Sequence, residues 1–206
     1  MSSSAPSYPR KLVLASASPR RLDLLGQIGV RPDEVMPADI DETPFHQERP
    51  AEYARRMASQ KANHIAGILA GAGASGFVLS GDTVVALGRR ILPKAETEAE
   101  ARRCLALLSG RSHRVYGGIT LLGPDGARRD RLVQTKVQFR RLSQADIDRY
   151  IASGDWQGKA GGYAVQGLAA VFIRHIAGSY SNVVGFSLYD VAALLDAAGW
   201  RSGVGT

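Results

Sequence analysis

Residues 12–25 read LVLASASPRRLDLL, and the fold class turns on how this stretch divides. Lys11 to Ala15 (KLVLA) is a short apolar run of the kind that forms a buried strand, ended by Ser16, Ser18 and Pro19. From Pro19 to Gly29 the apolar residues Leu22, Leu25 and Ile28 recur every three positions, which predicts a helix with Ser18 as N-cap and Pro19 in its first turn. A buried strand that passes through a tight loop into a helix is the opening of an α/β fold.

The same helix breaks a local rule. Arg20 and Arg21 stand in its first turn, beside unpaired N–H groups and the positive end of the macrodipole, where cations are disfavoured. A bound phosphate would resolve the conflict, because helix N-termini and guanidinium forks both bind phosphate oxygens. Two solvated arginines would cost only a few tenths of a kcal/mol, so this site alone leaves both readings open.

Downstream, Ala54, Met57, Ala58, Ile65 and Ile68 fall on one stripe of a helix predicted from about Pro50 to Leu69. Lys61 lies within that stripe, whereas Arg56, Gln60 and Asn63 face away. Burying an unpaired ammonium costs several kcal/mol, so Lys61 must meet a carboxylate or an anionic ligand, or snorkel to the surface. Phe77 to Leu79 and Val84 to Leu87 read as strand interrupted at Ser80 to Thr83, since Gly81 and Asp82 are poor strand residues. That places Asp82 in a cleft or in a plain turn. Asp39, Asp41 and Glu42 form an acidic cluster, most simply a solvated loop, although with Asp82 it could hold a hard divalent cation.

A capping box at Thr97 and Glu100 opens a third helix through Ala101, Cys104, Leu105 and Leu108, ended by Gly110. Val115 to Phe139 predicts a hairpin around Gly123-Pro124-Asp125-Gly126. Ser143 caps a short helix with Ile147, Tyr150 and Ile151. A glycine-rich segment (Gly158 to Gly167) then leads into a strand at Ala170 to Ile176, and a helix at Ser187 to Ala198 follows. Strands alternate with helices and hairpins, which predicts a central twisted mixed β-sheet with flanking helices.

Composition bounds the function. With 206 residues, 45% hydrophobic and 22% charged, the chain suits one globular domain and excludes a disordered one, and its 23 glycines lack the collagen period. No run reaches the ~18 apolar residues of a membrane span. The first ten residues read as a flexible N-terminus, not a signal peptide. One cysteine, Cys104, permits no internal disulfide, in keeping with the cytoplasm. His46, His64, His113 and His175 are scattered and give no metal spacing. The net charge of +7 favours anionic partners without distinguishing nucleotide from nucleic acid. Cations (Arg20, Arg21, Lys61, with Lys94 and Lys159) set against carboxylates (Glu42, Asp82) suit phosphoester chemistry, and no GxxxxGK[ST] loop is present.

In these blocks the sequence resembles the Maf nucleotide pyrophosphatases, which share the inosine triphosphate pyrophosphatase fold. The resemblance runs through LVLASASPRRLDLL, DET (Asp41 to Thr43), SQKA (Ser59 to Ala62), GDTVV (Gly81 to Val85) and LSGRSHRVYGGITL (Leu108 to Leu121). It continues with GKAGGYAVQG (Gly158 to Gly167) and GSYSNVVGFSL (Gly178 to Leu188). It implies two lobes around a cleft in which a nucleoside triphosphate is hydrolysed to monophosphate and pyrophosphate with Mg²⁺ or Mn²⁺. Carried over by position, Asp82 and Glu42 are the catalytic and metal-binding carboxylates. Ser16, Ser18, Arg20, Arg21, Lys61, Lys94 and Lys159 bind substrate, while Arg20, Thr83 and Gln166 bear on the base. The pattern resembles the dTTP and UTP branch, whose members would also take modified pyrimidine nucleotides; 7-methyl-GTP is the alternative substrate. A homodimer is compatible with the resemblance. A third possibility, a septum regulator that only senses nucleotide or a nucleic-acid-binding protein, has only the charge behind it, since no RNA-recognition motif or helix-turn-helix signature occurs. Two departures stand out: Gly81 where the family more often has Ala, and Pro93-Lys94-Ala95 where it more often has Lys-Pro, an exchange expected to bear on where Lys94 points.

Overall fold

The computed structural model describes residues 11–201; the N-terminal segment 1–10 lies outside them. Along the chain come β1 (Leu12–Ala15), α1 (Pro19–Gln27), β2 (Glu34–Val35), α2 (Pro50–Gly71), β3 (Phe77–Leu87), β4 (Arg90–Leu92), β5 (Lys94–Ala95) and α3 (Glu98–Leu108). There follow β6 (Ser112–Leu122), β7 (Arg128–Phe139), α4 (Gln144–Ser153), β8 (Lys159–Ala160), a 3₁₀ turn (Leu168–Phe172), β9 (Ile173–Ala177), α5 (Tyr180–Val184) and α6 (Leu188–Ala197). The main sheet has the order β2-β1-β3-β6-β7-β9, with β4 hairpinned onto β3. β1 pairs in parallel with β2 and β3, and the remaining pairs are antiparallel, so the sheet is mixed as expected. β5 and β8 form a separate two-stranded ribbon.

Alternation along β1 sorts the core into two layers. Leu12 and Leu14 belong to the large core shared with α1, α3 and α6, while Val13 and Ala15 pack under α2 with Ala62, Ile65 and Leu69. Two glycines in β6 let backbone and side chains reach the sheet from both sides. A Cβ on Gly118 would lie 2.1 Å from the Ala54 carbonyl oxygen of α2, and one on Gly117 would lie 1.9 Å from Asn182 Oδ1 of α5. No larger residue fits at either place.

Several expectations are met. The hairpin turns at Gly123 to Gly126, the capping box closes at Thr97 with Glu100, and Ser143 caps its helix, where the structure adds a reciprocal bond from Asp146. Others need correction. β3 is unbroken, and Ser80 to Thr83 pair with Thr120 to Gly117 of β6. The poor strand residues are tolerated because their surroundings are specific: Ser80 Oγ donates to Ala58 O at 2.6 Å, Gly81 leaves room for the Phe186 ring, and Asp82 meets a cation. The buried stripe of α1 is Arg21, Leu24 and Leu25, shifted from the expected one, and Leu22 and Ile28 face solvent. On α2, Leu69 is buried in place of Ile68. The strand expected from Ala170 begins only at Ile173, since Ala169 and Phe172 bury at the three-residue spacing of a 3₁₀ turn.

Candidate active site

Successive residues of β3 point to opposite faces, and this separates two chemical functions. Ser80 and Asp82 face α2, while Gly81 and Thr83 face α1 and α5. On the first side Lys61, buried in the middle of α2, places Nζ 2.7 Å from Asp82 Oδ1 and 2.7 Å from Glu42 Oε1. Of the alternatives open to a lysine in an apolar stripe, a pair of carboxylates is the one realised. Lys94 Nζ, at the start of β5, lies 2.7 Å from the other oxygen of Glu42. The shifted proline therefore leaves Lys94 aimed at the site. Burial would raise the Glu42 carboxyl, but hydrogen bonds from Lys61 and Lys94 outweigh it and hold its pKa at about 2.

On the second side Arg21 is buried, and three of its five N–H donors are committed. Nε donates to Gly185 O at 3.0 Å, Nη1 to Ser16 Oγ at 2.9 Å and Nη2 to Thr83 Oγ1 at 3.1 Å, with the Phe186 ring 5.3 Å from the guanidinium. The Ser16 hydroxyl also accepts from Ser18 N at 3.2 Å. Ser18 occupies the N-cap position of α1 without making a side-chain cap bond. Arg20 is half-buried and makes no hydrogen bond or ion pair among the described residues; burial lowers its pKa. Lys159 Nζ donates to Gln157 O at 2.9 Å, and burial, with Arg20 nearby, lowers its pKa as well.

These residues line one open cleft of about 330 Å³ between α1, β3 and the β5–β8 ribbon. Every candidate lies on its wall: Ser16, Ser18, Arg20, Arg21, Glu42, Lys61, Asp82, Thr83, Lys94, Lys159 and Gln166. Of the acidic cluster, only Glu42 turns inward, whereas Asp39 and Asp41 are exposed and Asp41 accepts from Thr43 N at 2.8 Å. Among the described residues no group of three or more His, Cys, Asp or Glu side chains could hold a metal, so Glu42 and Asp82 stand as a pair.

The cleft also has walls that sequence reasoning left unassigned. Tyr163, Val165, Val183 and Val184 supply an apolar side, and the Gly185 carbonyl fixes Arg21. Tyr163 is held from behind by His113, whose Nε2 lies 2.7 Å from the phenol oxygen inside a set of edge-on rings with Phe139. The signal for this wall was present in GKAGGYAVQG and GSYSNVVG, but apolar residues near glycines carry no chemistry that spacing alone can identify.

Residues 11–198 match the family model described as Maf-like protein. The chain is 61% identical over 189 residues to a dTTP/UTP pyrophosphatase of Paramagnetospirillum magneticum, covering 92% of this chain and 97% of the relative. It is 60% identical over 190 residues to a protein of the same name from Caulobacter vibrioides, with 92% and 96% covered. In fold it is similar to a HAM1 protein from Coxiella burnetii, at a TM-score of 0.50 and 19% identity over 91% of this chain and 98% of that one. The two-sided cleft on β3, the sequence blocks that supply its walls and the match across nearly the whole chain make this protein a member of the Maf family.

Proposed function

We propose that the protein hydrolyses nucleoside triphosphates, dTTP and UTP foremost, to the monophosphate and pyrophosphate. The observation that carries this reading is the convergence of Lys61, Glu42 and Asp82 at 2.7 Å contacts in a cleft that also holds Arg20, Lys94 and Lys159. The names of the relatives supply the substrate class. In this reading Arg20, Lys94 and Lys159 receive the phosphate oxygens, and Arg21, held by Gly185 and Thr83, shapes the wall they lie against. Asp82 takes the proton of a water whose oxygen bonds to the α-phosphorus, and the bond from that phosphorus to the bridging oxygen breaks with its electron pair on the departing pyrophosphate. Gln166 offers both a donor and an acceptor, which matches the O4 and N3 edge of uracil and thymine, while Tyr163 and the valines cover the apolar faces of the base.

The carboxylates of Glu42 and Asp82 are hard oxygen donors. Two of them are too few for a closed cage but suit Mg²⁺ or Mn²⁺, which keep several waters and share the substrate's phosphate oxygens. When bound, such an ion would offset charge on the phosphoryl oxygens. The single cysteine, Cys104, which is buried and unpaired, supports a cytoplasmic setting in this reading.

A panel of nucleotides with pyrophosphate detection, run with and without Mg²⁺, tests the proposal. dTTP and UTP should lead in the presence of metal, and Asp82→Asn should lose nearly all turnover while remaining folded. Preference for 7-methyl-GTP would reassign the substrate, and full activity in Asp82→Asn would remove Asp82 from the chemistry.

A further inference from the structure

Glu42 belongs to residues 36–49, a stretch between β2 and α2 without helix or strand. Nothing in regular backbone pairing fixes its carboxylate in the cleft. Lys61 and Lys94 meet the carboxylate itself, and the contacts that hold the stretch carrying it come from the first two turns of α2. Tyr53 Oη donates to the Glu42 carbonyl oxygen at 2.6 Å. One turn on, Arg56 grips the chain just beyond Glu42: Nη2 donates to Thr43 O at 3.1 Å, and Nε and Nη2 each lie 2.7 Å from a separate oxygen of Glu48. Its remaining partner is Gln60, whose side-chain oxygen accepts from Nη1 at 3.1 Å.

The segment is folded to suit this grip. Glu48 Oε2 also accepts from Phe45 N at 3.0 Å, and Gln47, with φ of 57°, is the one non-glycine residue in the left-handed region among those described. The Phe45 ring is 62% exposed on the outside of the molecule, yet its centroid lies 3.8 Å from the Arg56 guanidinium carbon. An exposed aromatic side chain thus has a task, which is to cover the guanidinium and strengthen its hold.

We propose that Arg56, which does not line the cleft, is a positioning residue for Glu42: its guanidinium clasps residues 43–48 onto α2 and so fixes the reach of the Glu42 carboxylate toward Lys61 and Lys94. The inference rests on the reading of Glu42 as part of the reaction site. Bidentate pairing and ring stacking are properties of a planar fork, so lysine at this position cannot replace it.

The test is a double-mutant cycle with dTTP and Mg²⁺, measuring kcat and KM for the wild type, R56A, R56K, E42Q and R56A combined with E42Q. Supporting groups of this kind change activity by about 10- to 100-fold when removed. Arg56→Ala should lose kcat in that range with KM little changed, Arg56→Lys should recover only part of it, and in the E42Q background the Arg56 change should add no further loss. A clasp that merely stabilises the fold would lower the melting temperature without this dependence on Glu42. Wild-type kcat in R56A beside an impaired E42Q, or losses that multiply in the double variant, would overturn the proposal. An E42Q enzyme at the wild-type rate would instead remove the reading of Glu42, and the clasp's role with it. Should R56A not fold, Glu48→Gln weakens the same grip and takes its place in the cycle.

Discussion

Glu42 and Asp82 share one ammonium: Lys61 Nζ stands 2.7 Å from a carboxylate oxygen of each. Without it, two carboxylates would face each other across the cleft with only Lys94 beside the outer one. Breaking a buried charge cluster in this way costs about 3–5 kcal/mol in a dry interior, and somewhat less beside an open cleft. Lys61→Ala should therefore unfold at lower urea and lose turnover. Added Mg²⁺ should raise its melting temperature more than that of the wild type, because the vacated carboxylate pair then prefers a cation. Equal shifts in both proteins would count against this account.

Acid should weaken the same cluster. The Glu42 carboxyl is held at about 2 against an ordinary 4.5, so its contribution to stability is complete above pH 4.5 and is lost as pH falls toward 2. Its side chain is 35% exposed, and after screening by water the contribution is about 1–2 kcal/mol. Urea unfolding at pH 6 should separate the wild type from Glu42→Gln by that amount, and the gap should shrink steadily at pH 4 and pH 3.

His113 acts at higher pH. Burial pulls its imidazole down to about 4 from 6.5, so the folded state holds it neutral while the unfolded chain binds a proton. Stability from this source is complete above pH 6.5 and declines as pH falls toward 4, by roughly 3 kcal/mol in all. Replacing His113 with Gln should flatten the stability profile between pH 6.5 and 4. An unchanged slope would mean that the proton is taken up elsewhere.

Gly81 is a place in β3 where a side chain would meet its neighbours. A Cβ there would sit 2.3 Å from Phe186 Cε1 and 3.2 Å from Gly118 O. Gly81→Ala should lower stability by about 1–3 kcal/mol through overpacking. Combining it with Phe186→Leu should return part of that loss in a thermal melt.

The two arginines of α1 should separate stability from binding. Arg20 has no partner among the described residues and faces the cleft, so Arg20→Ala should raise KM for dTTP about tenfold or more while unfolding as the wild type does. Arg21 ties Ser16, Thr83 and Gly185 together. Lysine cannot make those three contacts, so Arg21→Lys should lose about 1–3 kcal/mol of stability as well as activity.

Much of this was legible in the sequence. Lys61 in an apolar stripe announces a buried countercharge because helical period and charge are both local properties. Asp82 was legible as an anomaly but not as a strand residue. The contacts that make Ser80 to Thr83 good strand members, from Ala58, Phe186 and Lys61, lie far away in the chain. The stripe of α1 was misplaced for a related reason: Arg21 is buried against the Gly185 carbonyl, and a periodicity count treats any arginine as a surface residue. Short strands such as β4, β5 and β8 carry too few residues for a period to register.

Thr83 and Asp82 pair across the ladder with Gly117 and Gly118, the two positions where the sheet is thinnest. A slip of one residue in β3 would turn the carboxylate toward Arg21 and the hydroxyl toward Lys61, and it would set both glycines against the wrong neighbours. A single inserted or deleted codon between Phe77 and Asp82 would therefore reverse the polarity of the cleft outright.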